Sequence, residues 1–153
     1  MHAYKLNYVL SYRVQLKDPL EVIGKSPSGM RVNLYTEGGV VEGPDINGRV
    51  LPVGGDWFTL RDDGIGMLDV RSTIETDDGA LIYVNYTGLT DWGVDGFKKY
   101  LDGRIPEKTF LRVAPRLEAS HPRYQWLNRL QFLGVGEFNG LKFEASYDFY
   151  AVI

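Results

Sequence analysis

The sequence predicts an all-β protein, a single antiparallel β-barrel of about eight to ten strands with one short helix. Three observations predict it. Residues 67–75 alternate strictly, with Leu68, Val70, Ser72 and Ile74 on one face and Met67, Asp69, Arg71, Thr73 and Glu75 on the other. A period of two belongs to a strand. Comparable runs recur along the chain between turn signals such as Asp78-Gly79 and Asn139-Gly140, which are hairpin dipeptides. Eighteen glycines and ten tyrosines in 153 residues fit strands joined by many turns.

The elements follow in order. Residues 4–16 form a long first strand, with Tyr4, Leu6, Tyr8, Leu10, Tyr12, Val14 and Leu16 alternating against polar neighbours. Lys17-Asp18-Pro19 turns the chain. Residues 20–23 are a short extended piece, ended by Gly24 and the turn Ser26-Pro27-Ser28-Gly29. Residues 30–36 alternate again. Gly38-Gly39 supplies a bend or a β-bulge, because glycine tolerates positive φ. Val40 and Val41 resume, then Glu42-Gly43-Pro44 and Asn47-Gly48 interrupt. Residues 49–52 lead into Gly54-Gly55-Asp56-Trp57 and a short strand to Leu60. Arg61-Asp62-Asp63-Gly64 is a hairpin turn, and the hairpin 67–86 reverses at Thr76-Asp77-Asp78-Gly79. Trp92, Phe97, Tyr100 and Leu101 stand near helical spacing and predict the one helix, capped by Gly103 and stopped before Pro106. Residues 108–119 are a strand, with Phe110, Arg112, Ala114, Arg116 and Glu118 opposite Leu111, Val113, Pro115 and Leu117. His121-Pro122 is a turn, and residues 124–133 read as the next strand. Gly134 and Gly136 bend it. Asn139-Gly140 predicts a type I′ hairpin, and residues 141–152 close the chain, with Tyr147, Phe149 and Ala151 opposite Asp148, Tyr150 and Val152. Pairing of the long first and last strands would hide both edges.

No linker, repeat or low-complexity run divides the chain, so residues 1–153 are expected to form one domain. A net charge of -3 argues against a nucleic-acid surface, which needs a basic face. No apolar run approaches the ~18–20 residues of a membrane helix, and the N-terminal residues lack a secretory pattern. The absence of cysteine excludes disulfides, thiolate metal sites and a cysteine nucleophile, and fits a cytoplasmic protein. His2 and His121 are too few for a histidine-rich zinc site or a Ser/His/Asp triad. Gly134-Val135-Gly136 lacks the third glycine and the helix of a dinucleotide site. Neither a phosphate-binding loop nor a serine nucleophile elbow is present. No metal and no cofactor are expected.

Three runs resemble a known family in their order. The first is Gly38-Gly39, Glu42-Gly43-Pro44, Gly48-Arg49-Val50-Leu51-Pro52 and Gly54-Gly55-Asp56-Trp57. The second is Thr76-Asp77-Asp78-Gly79-Ala80-Leu81-Ile82-Tyr83. The third is Pro115-Arg116-Leu117-Glu118 with Tyr124-Gln125-Trp126-Leu127-Asn128. Together they resemble domain of unknown function 3237, a family of small bacterial and fungal proteins, over nearly the whole chain. The resemblance implies a compact antiparallel barrel. It also implies kinship with members whose pathway context suggests isomerases or cyclases of aromatic natural products. No catalytic residue is carried over from it.

The candidate chemistry turns on where the charged strand faces point. They are either the wet exterior or the wall of a polar lumen. In the second case Arg71, Arg112 and Arg116 form a cationic cluster, balanced by Asp69 and Glu118, around an anion or enolate. Arginine suits that task through its planar, permanently charged fork. Gly54-Gly55-Asp56-Trp57 offers close backbone approach, a proton acceptor and a stacking indole; a tight turn with a core tryptophan is the plainer reading. Tyr83, Tyr124, Trp126 and Tyr150 could line a cavity or simply fill the core. Asn128 could polarise a carbonyl or satisfy backbone groups. His121, Glu42 and Asp78 read as surface or turn residues.

Three readings remain open, two of them resting on a cavity. One is a cofactor-free isomerase, cyclase or lyase moving protons on a small aromatic or carbonyl compound, with Asp56 or Asp69 as base, arginines on the enolate oxygen and Tyr83 or Tyr150 as acid. A carboxylate beside arginines has a lowered pKa and is a weak base, which is an objection to Asp69 and keeps Asp56 as the alternative base. The second is a lipocalin-like barrel that binds a small aromatic or anionic ligand without turnover. A third reading is a structural partner protein with a solid core and no cavity, in which exposed apolar edges would favour a homo-oligomer.

Overall fold

From β6 onward each strand pairs with the next in sequence, and the last returns to the first. The computed structural model describes residues 1–153. The strands are β1 (Leu6–Leu16), β2 (Glu21–Ser26), β3 (Gly29–Glu42), β4 (Gly48–Val50), β5 (Gly55–Leu60), β6 (Ile65–Thr76), β7 (Leu81–Asp91), β8 (Lys108–Ala119), β9 (Gln131–Asn139) and β10 (Glu144–Val152). Helix α1 (Gly96–Leu101) joins β7 to β8, and a 3-10 helix (Pro122–Arg129) joins β8 to β9. Along β3, β1 and β2 lie end to end on one side and β4 and β5 on the other. The result is a closed eight-stranded antiparallel barrel with two extra strands. β1 and β10 seal it, from Leu6 opposite Val152 to Gln15 opposite Glu144. None of the helices is long and apolar enough to cross a membrane.

Two glycines make the bends possible. At Gly39 a Cβ would collide with the Arg13 carbonyl of β1, and at Gly54 (φ +78°) with the Arg71 carbonyl of β6. Gly54 thus lets the chain re-enter the sheet as β5 immediately before Asp56.

The apolar faces point inward and the charged faces outward. In β6, Leu68, Val70, Ser72 and Ile74 are buried; in β8, Leu111, Val113 and Leu117 are buried, while Arg112, Arg116 and Glu118 are exposed. One expected face breaks. Pairing shifts between Tyr8 and Leu10, and Val9 and Leu10 are both buried. This bulge turns Tyr4, Leu6 and Tyr8 outward, while Leu10, Tyr12, Val14 and Leu16 stay inside.

The lower end is packed solid. Leu10, Ile46, Ile74, Ile82, Leu127, Phe132 and Phe149 have no exposed surface. The 3-10 helix plugs this end, which corrects the expected strand over residues 124–133. Pro122 starts the helix, His121 Nδ1 accepts from the Arg123 N–H at 3.3 Å, and Tyr124 and Leu127 bury on the three-residue period of such a helix. Asp78 in the β6–β7 turn holds it. Its carboxylate accepts from Thr76 Oγ1 (2.6 Å), Tyr124 Oη (2.8 Å) and Arg123 Nη1 (3.1 Å). The Thr76 and Tyr124 hydroxyls pull its pKa down to about 2. The β9–β10 connection also differs from the expected two-residue turn. It is a longer loop in which Asn139 Oδ1 accepts from Leu141 N and Lys142 N, and Phe143 adopts φ 51°.

Candidate functional site

The upper end of the barrel is hollow. Inward residues of the strands enclose a cavity with about 80 Å³ open to the centre of a water molecule, where one water needs only ~10–15 Å³. Eighteen of its 23 lining residues are hydrophobic, and none is Lys, Arg or His. The segment from Trp92 to Ile105 roofs it. Trp92 stacks on Phe58 (5.6 Å between ring centres) and leans on Tyr100 (6.3 Å). Helix α1 ends as a Schellman motif, with Arg104 N bonded to Lys99 O and Gly103 N to Tyr100 O, at Gly103 φ +77°. Lys25 of the β2–β3 hairpin lies 4.9 Å over the Phe97 ring, tying roof to wall.

Asp56 is the one carboxylic acid in this lining. It sits opposite Leu34 of β3 and Val70 of β6. Beyond it the β5–β6 ladder opens, and pairing resumes only at Thr59 and Met67. Asp56 Oδ1 takes the place of a ladder carbonyl and accepts from the Asp69 N–H at 2.9 Å. The Trp57 carbonyl instead accepts from Arg31 Nη1 at 3.2 Å. Burial pushes the Asp56 carboxyl up to about 7; the Asp69 N–H opposes this, and the Asp69 charge adds to it.

Four tyrosines line the cavity with Asp56; Tyr100 belongs to the roof and the other three to the strands of the wall. Tyr86 and Tyr147 meet edge to face at 5.4 Å, and Tyr12 lies 6.1 Å from Tyr147. Tyr12 Oη and Ser72 Oγ are hydrogen-bonded at 2.6 Å. Burial raises all three phenols, and the charge of Asp56 contributes at Tyr86 and Tyr147. They are therefore neutral hydrogen-bond donors at any ordinary pH. A titratable carboxyl and several neutral phenols in a mostly apolar space can accept, hold and return a proton.

Asp56 faces the cavity, but the other residues nominated from the sequence do not. Asp69, Arg71 and Trp57 come together on the outer wall, with Arg71 Nη1 3.0 Å from Asp69 Oδ1 and its guanidinium 5.5 Å from the Trp57 ring. Arg112 lies outside over Phe110, at 5.6 Å. Tyr83 is exposed, and Tyr150 packs on Tyr8 outside the sheet at 5.9 Å. Arg116, Glu118, Tyr83 and Asn128 border an open exterior groove beside the 3-10 helix, and Trp126 is half-buried on that helix. Asn128 bonds both backbone groups of Ala119 at 2.8 Å, so it extends the end of β8. Of the two readings of the charged faces, the wet exterior is the one that forms, because Leu and Val on the opposite faces of the same strands take the interior. Tyr12, Tyr86 and Tyr147 were missed. Their signal was tyrosine on the apolar alternation, beside Leu10 and Val14, Ile82 and Val84, and Phe149 and Ala151. No cluster of three or more His, Cys, Asp or Glu comes together to hold a metal.

The model of the family described as "Protein of unknown function (DUF3237)" matches residues 4–152. A UPF0311 protein of Rhodopseudomonas palustris is 35% identical over 131 residues, 84% of each chain. The crystal structure of a "beta-barrel like protein" from Acinetobacter baumannii superposes with a TM-score of 0.85 at 30% identity, over 100% of this chain and 98% of that one. The crystal structure of "an enzyme from Penicillium herquei" gives 0.70 at 21% identity, over 100% and 97%; that likeness shows a shared fold alone. The chain belongs to the DUF3237 family.

Proposed function

We infer that the protein is a cofactor-free proton-transfer enzyme, an isomerase or cyclase acting on a small, uncharged aromatic carbonyl compound inside the barrel. The observation that carries this reading is Asp56, a carboxyl held near pH 7 among neutral phenols in a mostly apolar cavity. A base of that strength is suited to a weakly acidic C–H next to a carbonyl. The carboxylate takes the proton, the C–H pair becomes the enolate C=C bond, and charge moves to oxygen. Tyr86 and Tyr147 donate to that oxygen. Protonated Asp56 then returns the proton at the same or a neighbouring carbon. The lining has no cation for an anionic ligand, which favours a neutral one.

The test is solvent-deuterium exchange into the acetyl methyl group of 2-acetylnaphthalene, followed by mass spectrometry. Asp56→Asn should slow enzyme-dependent exchange by about 10²–10⁴-fold while binding changes little, and the wild-type rate should rise with pH through a midpoint near 7. Exchange that survives Asp56→Asn would overturn the assignment. Tight binding with no exchange in the wild type would leave a ligand-binding barrel without turnover.

A further inference from the structure

Buried polar side chains in this molecule are mostly partnered. Ser72 has Tyr12, and Thr76 has Asp78 and Ala80. Four buried side-chain atoms have none: Asn33 Oδ1, Thr90 Oγ1, Trp92 Nε1 and Thr109 Oγ1. Three of these four belong to residues that line the cavity described above. Thr90 and Thr109 are only 4% and 5% exposed, so solvent does not relieve them. A sealed donor without a partner is costly, and each such group calls for an explanation.

Register places them away from Asp56. Asp56 is level with Val70, which pairs with Tyr86. Thr90 pairs with Gly66 and Leu111, four residues further along β7. At ~3.3 Å per residue that is on the order of 13 Å towards the roof. Thr109 is two residues beyond Leu111 in the same direction, and Trp92 lies two residues after Thr90, just past the end of β7. The cavity therefore has two polar ends joined by an apolar middle.

We propose that Thr90, Trp92 and Thr109 form a second subsite, for a neutral oxygen at the far end of the ligand. This rests on the reading that the cavity takes a small molecule, and it names the substrate class. The indole N–H only donates, and each hydroxyl donates or accepts. No charged group accompanies the three, so a phenol, alcohol or carbonyl oxygen fits and a carboxylate or phosphate does not. The ligand is then a flat compound of about two rings, with a reactive carbonyl at Asp56 and a second oxygen roughly 10 Å away.

The experiment compares binding of 2-acetylnaphthalene with 6-hydroxy-2-acetylnaphthalene. The wild type should bind the hydroxylated compound at least fivefold more tightly. Thr90→Val, Thr109→Val and Trp92→Phe should each shrink that preference towards one, and Thr90→Ser should keep it. Both valine variants should melt no lower than the wild type, since each removes an unpartnered hydroxyl; this guards against loss of fold as the cause. Equal affinity of the wild type for the two compounds, or a preference unchanged in all three variants, would overturn the subsite. Deuterium exchange separates the two readings. Exchange without preference removes the subsite and leaves Asp56 catalysis, whereas preference without exchange does the reverse. Binding of neither compound would remove both.

Discussion

The two halves of the barrel share strands, turns and alternation, yet differ in what their inward positions hold. Below, Ile46, Ile74, Ile82, Leu127, Phe132 and Phe149 tile the interior without exposed surface, and Asp78 pins the 3-10 helix across the end. Above, Asp56, Tyr12, Tyr86, Tyr147 and Trp92 stand around an unfilled space. Aliphatic and aromatic side chains together fill the floor. The lower half carries stability, and the upper half trades packing for a cavity and a buried acid.

Truncation should show this contrast most strongly. Phe132→Ala leaves a hole that the closed floor cannot refill, and should cost about 3–5 kcal/mol in urea denaturation. Leu34→Ala, in the cavity wall and only half-buried, should cost less than about half as much. Equal losses would erase the distinction.

Asp56 gives the next effect. Below about pH 4 its carboxyl is neutral in both the folded and the unfolded chain. Between about 4 and about 7 the unfolded chain releases the proton and the folded one keeps it. Folding stability therefore falls as pH rises through this window, by on the order of 2–4 kcal/mol. Asp56→Asn should remove that loss, making the variant the more stable protein at pH 8 but not at pH 4. A variant with the wild type's pH dependence would place the titrating group elsewhere.

The smallest effect belongs to the outer wall. Arg71→Met and Arg112→Met remove exposed side chains, one of them in a half-exposed ion pair, and should change stability by less than about 0.5–1 kcal/mol. Affinity for 2-acetylnaphthalene should not move. A clear loss of binding in either would bring the exterior back into the site.

Much of the barrel was legible because alternation and turn chemistry are local. Asp78-Gly79 marks the β6–β7 reversal, and the long terminal runs do pair as β1 and β10. Three features were not legible. The bulge at Val9 shifts a face by one residue without any glycine to announce it. His121-Pro122 read as a turn, although proline also starts helices, and Tyr124 and Leu127 suit a strand face as well as a three-residue turn. The site was obscured by a preference for charge. Asp69, Arg71 and Arg112 look chemical in sequence, but desolvating them would cost more than the barrel gains. Asp56 was readable because two glycines precede it. The tyrosines were concealed among the apolar residues whose alternation they share.

The three tryptophans stand at three stations: Trp57 on the outer wall beside Arg71, Trp126 on the helix that plugs the floor, and Trp92 in the roof between Phe58 and Tyr100. Fluorescence makes them separate instruments. A chain carrying Trp57→Phe and Trp126→Phe would emit from the roof alone, so its colour and intensity would register entry of a molecule into the barrel. A chain keeping only Trp126 would stay dark to that event and brighten or shift only as the floor melts.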